Sequence, residues 1–322
     1  MEALQKYTER IEKELNKDLF PSQPIELYEP LRYFLKLGGK RIRPVLTLLA
    51  AELFGSTSEK ALPQAMAIEV FHNFTLIHDD IMDVAPTRRN HPTVHEKWNS
   101  NIAILSGDVL LIKAYQFLAN IDAEKLPEAL HLFSTTSIQV CEGQQMDMNF
   151  EERMDVSIKE YIEMIRLKTS VLLGAALEMG AIVAGASKED RSRIYNFGQY
   201  LGIAFQIQDD LLDLYADPKK FGKMVGGDVA ANKKTILHLT AVSDATPQHI
   251  EILKELQQED NISLKIDRTR QLFDHLKVPQ KCRETMLEYQ AKAMVALEEI
   301  NVPEQQKQGL IALADFLLNR DL

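Results

Sequence analysis

Residues 70–83 read VFHNFTLIHDDIMD, and residues 205–213 read FQIQDDLLD. Both stretches are apolar with helical spacing, and both carry three aspartates in one pattern. Residues four apart share a helix face, so Asp79 and Asp83 point one way, as do Asp209 and Asp213. Like charges at that spacing oppose an isolated helix. The chain carries the arrangement twice, each time among residues whose character predicts burial. Something positive must offset the repulsion. Oxygen-only ligands, with no cysteine or histidine at metal-site spacing, suit a hard divalent cation, most simply Mg2+ shared with a phosphate. One such motif alone reads as readily as a solvated acidic helix face. Two, each set in apolar sequence, favour the cation.

Outward from these stretches the chain reads as helix after helix. A charged amphipathic helix near 2–17 is broken by Pro21 and Pro24, and a second runs to about Leu37. Gly38 and Gly39 stop it with a C-terminal glycine signal. Lys40-Arg41-Ile42-Arg43-Pro44 then leads into an apolar helix ending near Gly55. The next runs from about Ala61 to Val84, carries the first acidic motif and is ended by Pro86. After a loop, helices are expected near 100–119, 124–149, 157–185 and 188–215, the last with the second motif. Three or four shorter amphipathic helices fill the C-terminal third. Strand-like alternation is scarce, no fixed-period repeat is visible, and the 14 Gly and 12 Pro mark no linker. The expectation is all-α: one domain over residues 1–322, a single large helical bundle with a central active-site cavity.

Composition bounds the function. With 45% hydrophobic and 26% charged residues, the chain buries a large core and stays soluble. A net charge of −10 argues against a general nucleic-acid partner, so anions must be met by locally concentrated basic residues. Cys141 and Cys282 make no disulfide framework. The N-terminus is charged and lacks an apolar signal region. The most apolar stretch, Val171 to Ala186, is interrupted by Glu178 and is too short for a transmembrane segment. A cytoplasmic location is expected.

Basic residues cluster at four places. In GGKRIRP, residues 38–44, Lys40 and Arg43 stand three apart at a helix start, where free N–H groups and the dipole attract anions. Arg offers a phosphate a fork and Lys a point charge, although this stretch alone also fits a solvated turn. Arg88 and Arg89 directly follow the first acidic motif. Lys168-Thr169 lies in a helix, and Lys223 and Lys233 lie in a Gly-containing loop after the second motif. That loop lacks Walker spacing, and no dinucleotide fingerprint occurs. His91 and His95 lack a third zinc ligand. His72, about two turns before Asp79, fits either a core histidine or a group near an anion held by Lys40 and Arg43.

Together these pieces resemble the trans-isoprenyl diphosphate synthases, the polyprenyl synthetase family, in its farnesyl and geranylgeranyl diphosphate synthase group. The matching stretches are GGKRIRP at 38–44, LIHDDIMD at 76–83, RRNHPT at 88–93, GQQMD at 143–147, KT at 168–169, FQIQDDLLD at 205–213 and GKMVGGD…NKKT at 222–235. The resemblance implies a Mg-dependent, head-to-tail (1'-4) prenyltransferase acting on isopentenyl diphosphate and on dimethylallyl, geranyl or farnesyl diphosphate. It implies a homodimer and three Mg2+ ions with diphosphate bound, Mn2+ substituting. Asp79, Asp83 and Asp209 resemble the main metal ligands, and Gln144 and Asp147 the motif that completes the acidic side; Asp80, Asp210 and Asp213 resemble supporting or water-mediated residues, Asp147 and Asp213 being counted in the metal set. Lys40, Arg43, His72 and Arg89 resemble the isopentenyl diphosphate site. Arg88, Lys168, Lys223 and Lys233 resemble the allylic diphosphate clamp. Thr169 and Gln206 resemble polar residues at the reaction centre. The family usually has Gly where this chain has Asn90 and Asn232; Asn tolerates the left-handed backbone, so both loops are expected to keep their shape.

The same resemblance bears on product length. Phe74, five residues before Asp79, and Phe71, one turn further, are placed as the floor of the product pocket, with Thr75 leaving room. Ordinary core packing also explains two Phe in an apolar helix. The pattern is most like geranylgeranyl synthases, with a fifteen-carbon product the alternative. A class I terpene cyclase is disfavoured by the second DDxxD and by GGKRIRP. A non-catalytic partner subunit is disfavoured by two intact acidic motifs.

Overall fold

The computed structural model describes residues 2–216 and 225–318, with side chains from residue 5 onward. Its class is all-α, as expected. Helix α1 spans Glu2–Leu15, α2 Ile25–Lys36, α3 Ile42–Leu53 and α4 Ser58–Met82. Next come α5 (Val94–Lys97), α6 (Ser100–Leu118), α7 (Leu126–Glu152) and α8 (Ile158–Ile165). A π-helical turn, Arg166–Ser170, joins α8 to α9 (Val171–Ala184), and α10 spans Lys188–Tyr215. Beyond lie α11 (Gly227–Ala230), α12 (Ile236–Asp244), α13 (Pro247–Gln257), α14 (Ile262–His275), α15 (Val278–Glu298) and α16 (Glu304–Leu318).

The described residues fold as two compact units. One takes residues 1–134, 175–194 and 301–313, the other 135–174, 195–300 and 314–322. In the first, α4 is packed by α3 and α6. Its buried positions, among them Met66, Ile68, Phe71, Asn73 and Ile77, encircle the helix, the mark of a core helix rather than a one-sided surface one. Missing side chains bring neighbours close. A Cβ on Gly107 of α6 would sit 2.3 Å from His78 Nε2, and one on Gly180 of α9 would sit 2.2 Å from the Thr47 carbonyl of α3. In the second unit, α12 packs on α15 and α8, and α14 on α11, α13 and α15. There a Cβ on Gly143 of α7 would lie 2.2 Å from the Lys168 amide nitrogen. The π turn therefore lies against α7 at a point with no room for a side chain.

Three local features differ from the sequence reading. Thr87–Arg88 and His91–Pro92 pair antiparallel where a plain loop was expected. The two residues between, Arg89 and Asn90, have φ of 53° and 63°, and positive φ at both centres is what a tight two-residue hairpin requires. Tyr33 anchors this ribbon: its hydroxyl donates to the Pro92 carbonyl at 2.8 Å, Trp98 meets its ring edge-on at 5.3 Å, and Lys97 Nζ lies 3.7 Å from its centre. The helix expected over 157–185 is interrupted by the π turn. The C-terminal third holds more helices than three or four, because Thr246 with Pro247, then Asn261, then Lys277 with Pro279, each start a new one.

By length and composition alone, Ser100–Leu118 and Ile158–Ala184 could cross a membrane. For the second, 78% of the apolar window is buried inside the fold. Helix α6 is different, since it presents Ile104, Leu105 and Ile112 to solvent.

Gly180→Ala should lower stability by about 1–3 kcal/mol, the usual cost of overpacking a filled interior. Urea denaturation measures it, and an unchanged midpoint would contradict the close approach of α9 to α3.

Candidate active site

The first unit builds a basic turn and an acidic helix end. Gly38 and Gly39 take φ of 77° and 146°, which ends α2 and turns the chain into α3. Arg41 is the cap residue of α3, so Arg43 stands in its first turn, and Lys40, just outside, is exposed. Arg43 Nη1 lies 3.1 Å from His72 Nε2 on α4. Burial and the surrounding Arg43, Arg89, Arg88 and Arg41 hold the His72 pKa well below the usual histidine range, so His72 is neutral and its Nε2 accepts from Arg43. Burial also pulls Arg43 down to about 10, which leaves it charged at neutral pH. Arg89 Nη1 donates to the Gly38 carbonyl, tying the hairpin to the basic turn.

At the C-terminal end of α4, Asp79 is half-buried and Asp83 exposed, and the Asp83 N–H donates to the Asp79 carbonyl at 2.8 Å. The negative end of the helix dipole adds to their charge, so a cation is favoured there three ways. Asp80 faces elsewhere. It is buried, and Arg88 grips it through Nε at 2.8 and 2.9 Å and through Nη2 at 2.7 Å. The supporting role expected for Asp80 takes this concrete form, and Arg88, expected in a diphosphate clamp, is here the partner of that carboxylate.

The second unit holds the other set. Lys168, in the π turn, donates to Asp147 Oδ2 of α7 at 2.5 Å. Three residues before Asp147, Gln144 is buried on the same helix. Thr169 Oγ1 lies 3.5 Å from Gln206 Oε1, at the outer limit of a hydrogen bond. Gln206 Nε2 donates to Asp210 Oδ1 at 3.3 Å. Asp210 is buried, takes the Tyr161 hydroxyl and the Ile236 N–H on Oδ2, and is pushed up to about 7 chiefly by burial. Asp210 is thus committed to neighbours, which leaves the half-buried Asp209 and Asp213 as the solvent-facing carboxylates of this motif. Lys223 falls outside the described residues.

One carboxylate went unnoticed in the sequence. Asp228, at the start of α11, donates its N–H to Asp213 Oδ2 at 3.0 Å, and its carboxylate lies 3.8 Å from Lys233 Nζ. Burial and repulsion by Asp213 push Asp228 up to about 6; Lys233 lowers it, while Asp147 and Asp209 raise it further. Asp228 closes the GKMVGGD stretch at 222–228 that carries part of the resemblance, but the sequence reading assigned it no role. Asn232, which follows, has φ of 54° and Nδ2 bonded to the Gln257 carbonyl, so the non-Gly residue keeps a left-handed loop. Among the described residues, no group of three His, Cys, Asp or Glu side chains forms a ready metal cage. The donors are hard oxygens that repel one another, a set that a hard cation completed by ligand and water oxygens would relieve.

Beneath the first motif, Phe74 is half-buried, stacks edge-on against His78 at 4.7 Å and meets Phe71 at 5.7 Å. Phe71 is 1% exposed and packs on Phe133 at 5.2 Å, which in turn meets Tyr115 at 5.0 Å. Phe133 and Tyr115 come from other helices, and their part in this aromatic cluster has no trace in local spacing. Thr75 Oγ1 is turned to the His72 carbonyl at 2.9 Å.

Residues 24–275 match the family model described as polyprenyl synthetase. The geranylgeranyl pyrophosphate synthase of Geoglobus acetivorans is 39% identical over 97% of this chain and 96% of its own. The geranylfarnesyl diphosphate synthase of Natronomonas pharaonis is 36% identical over 99% and 97%. A crystal structure of a geranylgeranyl pyrophosphate synthase superposes with a TM-score of 0.94 at 42% identity, covering 99% of both chains.

His238 of α12 lines a cleft with Asp228, Lys233 and Lys265. Burial, then Lys234, push its pKa down to about 4. The folded state resists a proton that the unfolded chain accepts below about 6.5, so this histidine costs stability as pH falls through that range. Asp210 and Asp228, raised, act with the opposite sign and are common to wild type and a His238→Asn variant. Between pH 7.5 and 5 the variant should lose about 2 kcal/mol less than wild type. Urea titrations at both pH values measure the difference, and equal losses would contradict a buried neutral His238.

Proposed function

Since this chain belongs to the polyprenyl synthetase family, we propose that it joins isopentenyl diphosphate head-to-tail to an allylic diphosphate and releases mainly the twenty-carbon all-trans product. The observation that carries this reading is the pairing of acidic and basic groups. Asp147 with Lys168, and Asp213 with Asp228 and Lys233, form one set; Asp79 and Asp83, about two turns or more along α4 from the Arg43–His72 pair, form another. Two diphosphates need two basic clusters, and one leaving diphosphate needs cations between acidic donors. The reading takes residues 1–322 as one domain.

Asp79 and Asp83, and Asp209 with Asp147 and Asp213, would hold Mg2+, three ions with diphosphate bound. Bound there, Mg2+ neutralises charge on the departing diphosphate. Lys168 and Lys233, with Lys223 and Arg88, donate charge-assisted hydrogen bonds to the same oxygens as the allylic C–O bond breaks. Gln206 has its amide nitrogen tied to Asp210. Its oxygen, beside the Thr169 hydroxyl, would then be the end left to face the developing allylic cation. Lys40, Arg43 and Arg89 hold isopentenyl diphosphate beside it. Neutral His72 keeps Arg43 aimed without adding a charge of its own. The double bond attacks, and the released diphosphate takes the proton. No protein nucleophile is required.

Dimethylallyl, geranyl and farnesyl diphosphates are the starters. The exposed Ile104, Leu105 and Ile112 of α6 fit a homodimer contact, and the enzyme works in the cytoplasm. Relatives named for geranylgeranyl and geranylfarnesyl products support a product of about that length.

Purified protein with labelled isopentenyl diphosphate and each starter should turn over only with Mg2+ or Mn2+. Asp79→Ala, Asp83→Ala and Asp209→Ala should each cost about a hundredfold or more. Lys40→Ala and Arg43→Ala should raise the KM of isopentenyl diphosphate, and Lys168→Ala and Lys233→Ala that of the allylic partner. Full turnover in excess chelator would end the proposal.

A helix rises about 1.5 Å per residue, so Phe74 lies roughly 7 Å along α4 from Asp79. Phe74→Ala should shift products to twenty-five carbons or longer, read by chromatography against authentic standards. Phe71→Ala should lengthen them further but also cost about 3–5 kcal/mol, because it opens the Phe133 contact. Unchanged lengths in Phe74→Ala would refute this floor.

A further inference from the structure

Arg41 is the residue of the basic turn that no ligand role absorbs. Its side chain is 0% exposed, and its backbone is left-handed, with φ of 49°. That conformation sends the side chain inward while Lys40 and Arg43 flank it. Nε donates to Glu12 Oε1 of α1 at 2.7 Å, Nη1 to Glu69 Oε1 of α4 at 2.6 Å, and Nη2 to the Leu35 carbonyl of α2 at 3.0 Å. Glu69 is itself buried, and Asn73 Nδ2 donates to the same Oε1 at 3.0 Å.

Glu69 lies one turn before His72 on α4, and its charge reaches both Arg43 and Arg89. A buried carboxylate beside an anion-binding pair is a rival for that pair. A buried charge left without its partner recruits whatever counter-charge is in range. Arg41 is already bonded to Glu69, Nη1 to Oε1 at 2.6 Å. Arg43 has Nη1 on His72, and its Nε is buried without a hydrogen-bond partner.

We infer that Arg41 is a positioning residue for the isopentenyl diphosphate subsite: it occupies Glu69 so that Arg43 and Arg89 stay available to the substrate anion. This rests on the assignment of that subsite to Lys40, Arg43 and Arg89.

The test measures KM for each substrate, with the other saturating, in Arg41→Gln, Arg41→Lys and the double variant Arg41→Gln/Glu69→Gln. Arg41→Gln should raise the isopentenyl diphosphate KM about tenfold with the allylic KM unchanged, a size usual for coupled neighbours. Arg41→Lys, which keeps the charge, and the double variant, which removes the rival, should both stay within about threefold of wild type. Thermal melts run alongside. A purely structural Arg41 would lower the melting temperature, move both KM values together and gain nothing from Glu69→Gln; that result overturns the inference. If Arg41→Gln does not fold, the double variant decides: a KM near wild type upholds the inference, and a tenfold rise overturns it. Lys40→Ala and Arg43→Ala run in parallel. If they leave the isopentenyl diphosphate KM unchanged, the subsite assignment itself has failed, which is a different result from a silent Arg41.

Discussion

Like charges one helical turn apart repel, and this fold places aspartates that way at the end of α4 and again near the end of α10. The rest of the structure manages that repulsion. At each motif one aspartate is buried and hydrogen-bonded to neighbours, apart from the others. Asp80 is gripped by Arg88. Asp210 is held by Tyr161, Gln206 and the Ile236 N–H. What remains is a smaller set of hard oxygens, and Asp228 beside them is pushed up first by burial and then by repulsion from Asp213. A cation is then stabilised by oxygens already held in place, with little rearrangement to offset.

The same economy governs the cations. Lys168 is held by Asp147 on a π turn, and π turns inside helices are a common device at functional sites. Gly143 permits the turn by leaving its space open. Arg43 and Arg89 lean on a neutral imidazole and a backbone carbonyl, partners that leave their charge intact. Arg43 and Arg89 are thus held by neutral neighbours, whereas Lys168 and Lys233 stand beside carboxylates.

Most of the helical order was legible in the sequence, because apolar spacing and Pro or Gly breaks act locally. The helix expected near 61–84 spans Ser58–Met82, and that near 188–215 spans Lys188–Tyr215. The left-handed Asn90 and Asn232 were legible too, since few other side chains tolerate that backbone. Other features depend on contacts far apart in the chain and leave no periodic mark. The π turn is shaped by Gly143, more than twenty residues earlier. Asp228 reaches Asp213 only because Gly226 and Gly227 bring the loop back. Phe133 lies under Phe71 by virtue of tertiary packing alone. Arg41 looked like one more basic residue in a turn, and only its backbone angle and its burial separate it from Lys40 and Arg43.

The hairpin bearing Arg88 and Arg89 rests on Tyr33, and Tyr33 touches Trp98, the chain's sole tryptophan. Lys97 lies 4.9 Å from that indole as well. Indole emission responds to nearby charge and to the polarity around the ring. The molecule therefore carries a built-in optical gauge at the base of its arginine-bearing ribbon. Any event that shifts the ribbon changes the light it emits, with no label attached.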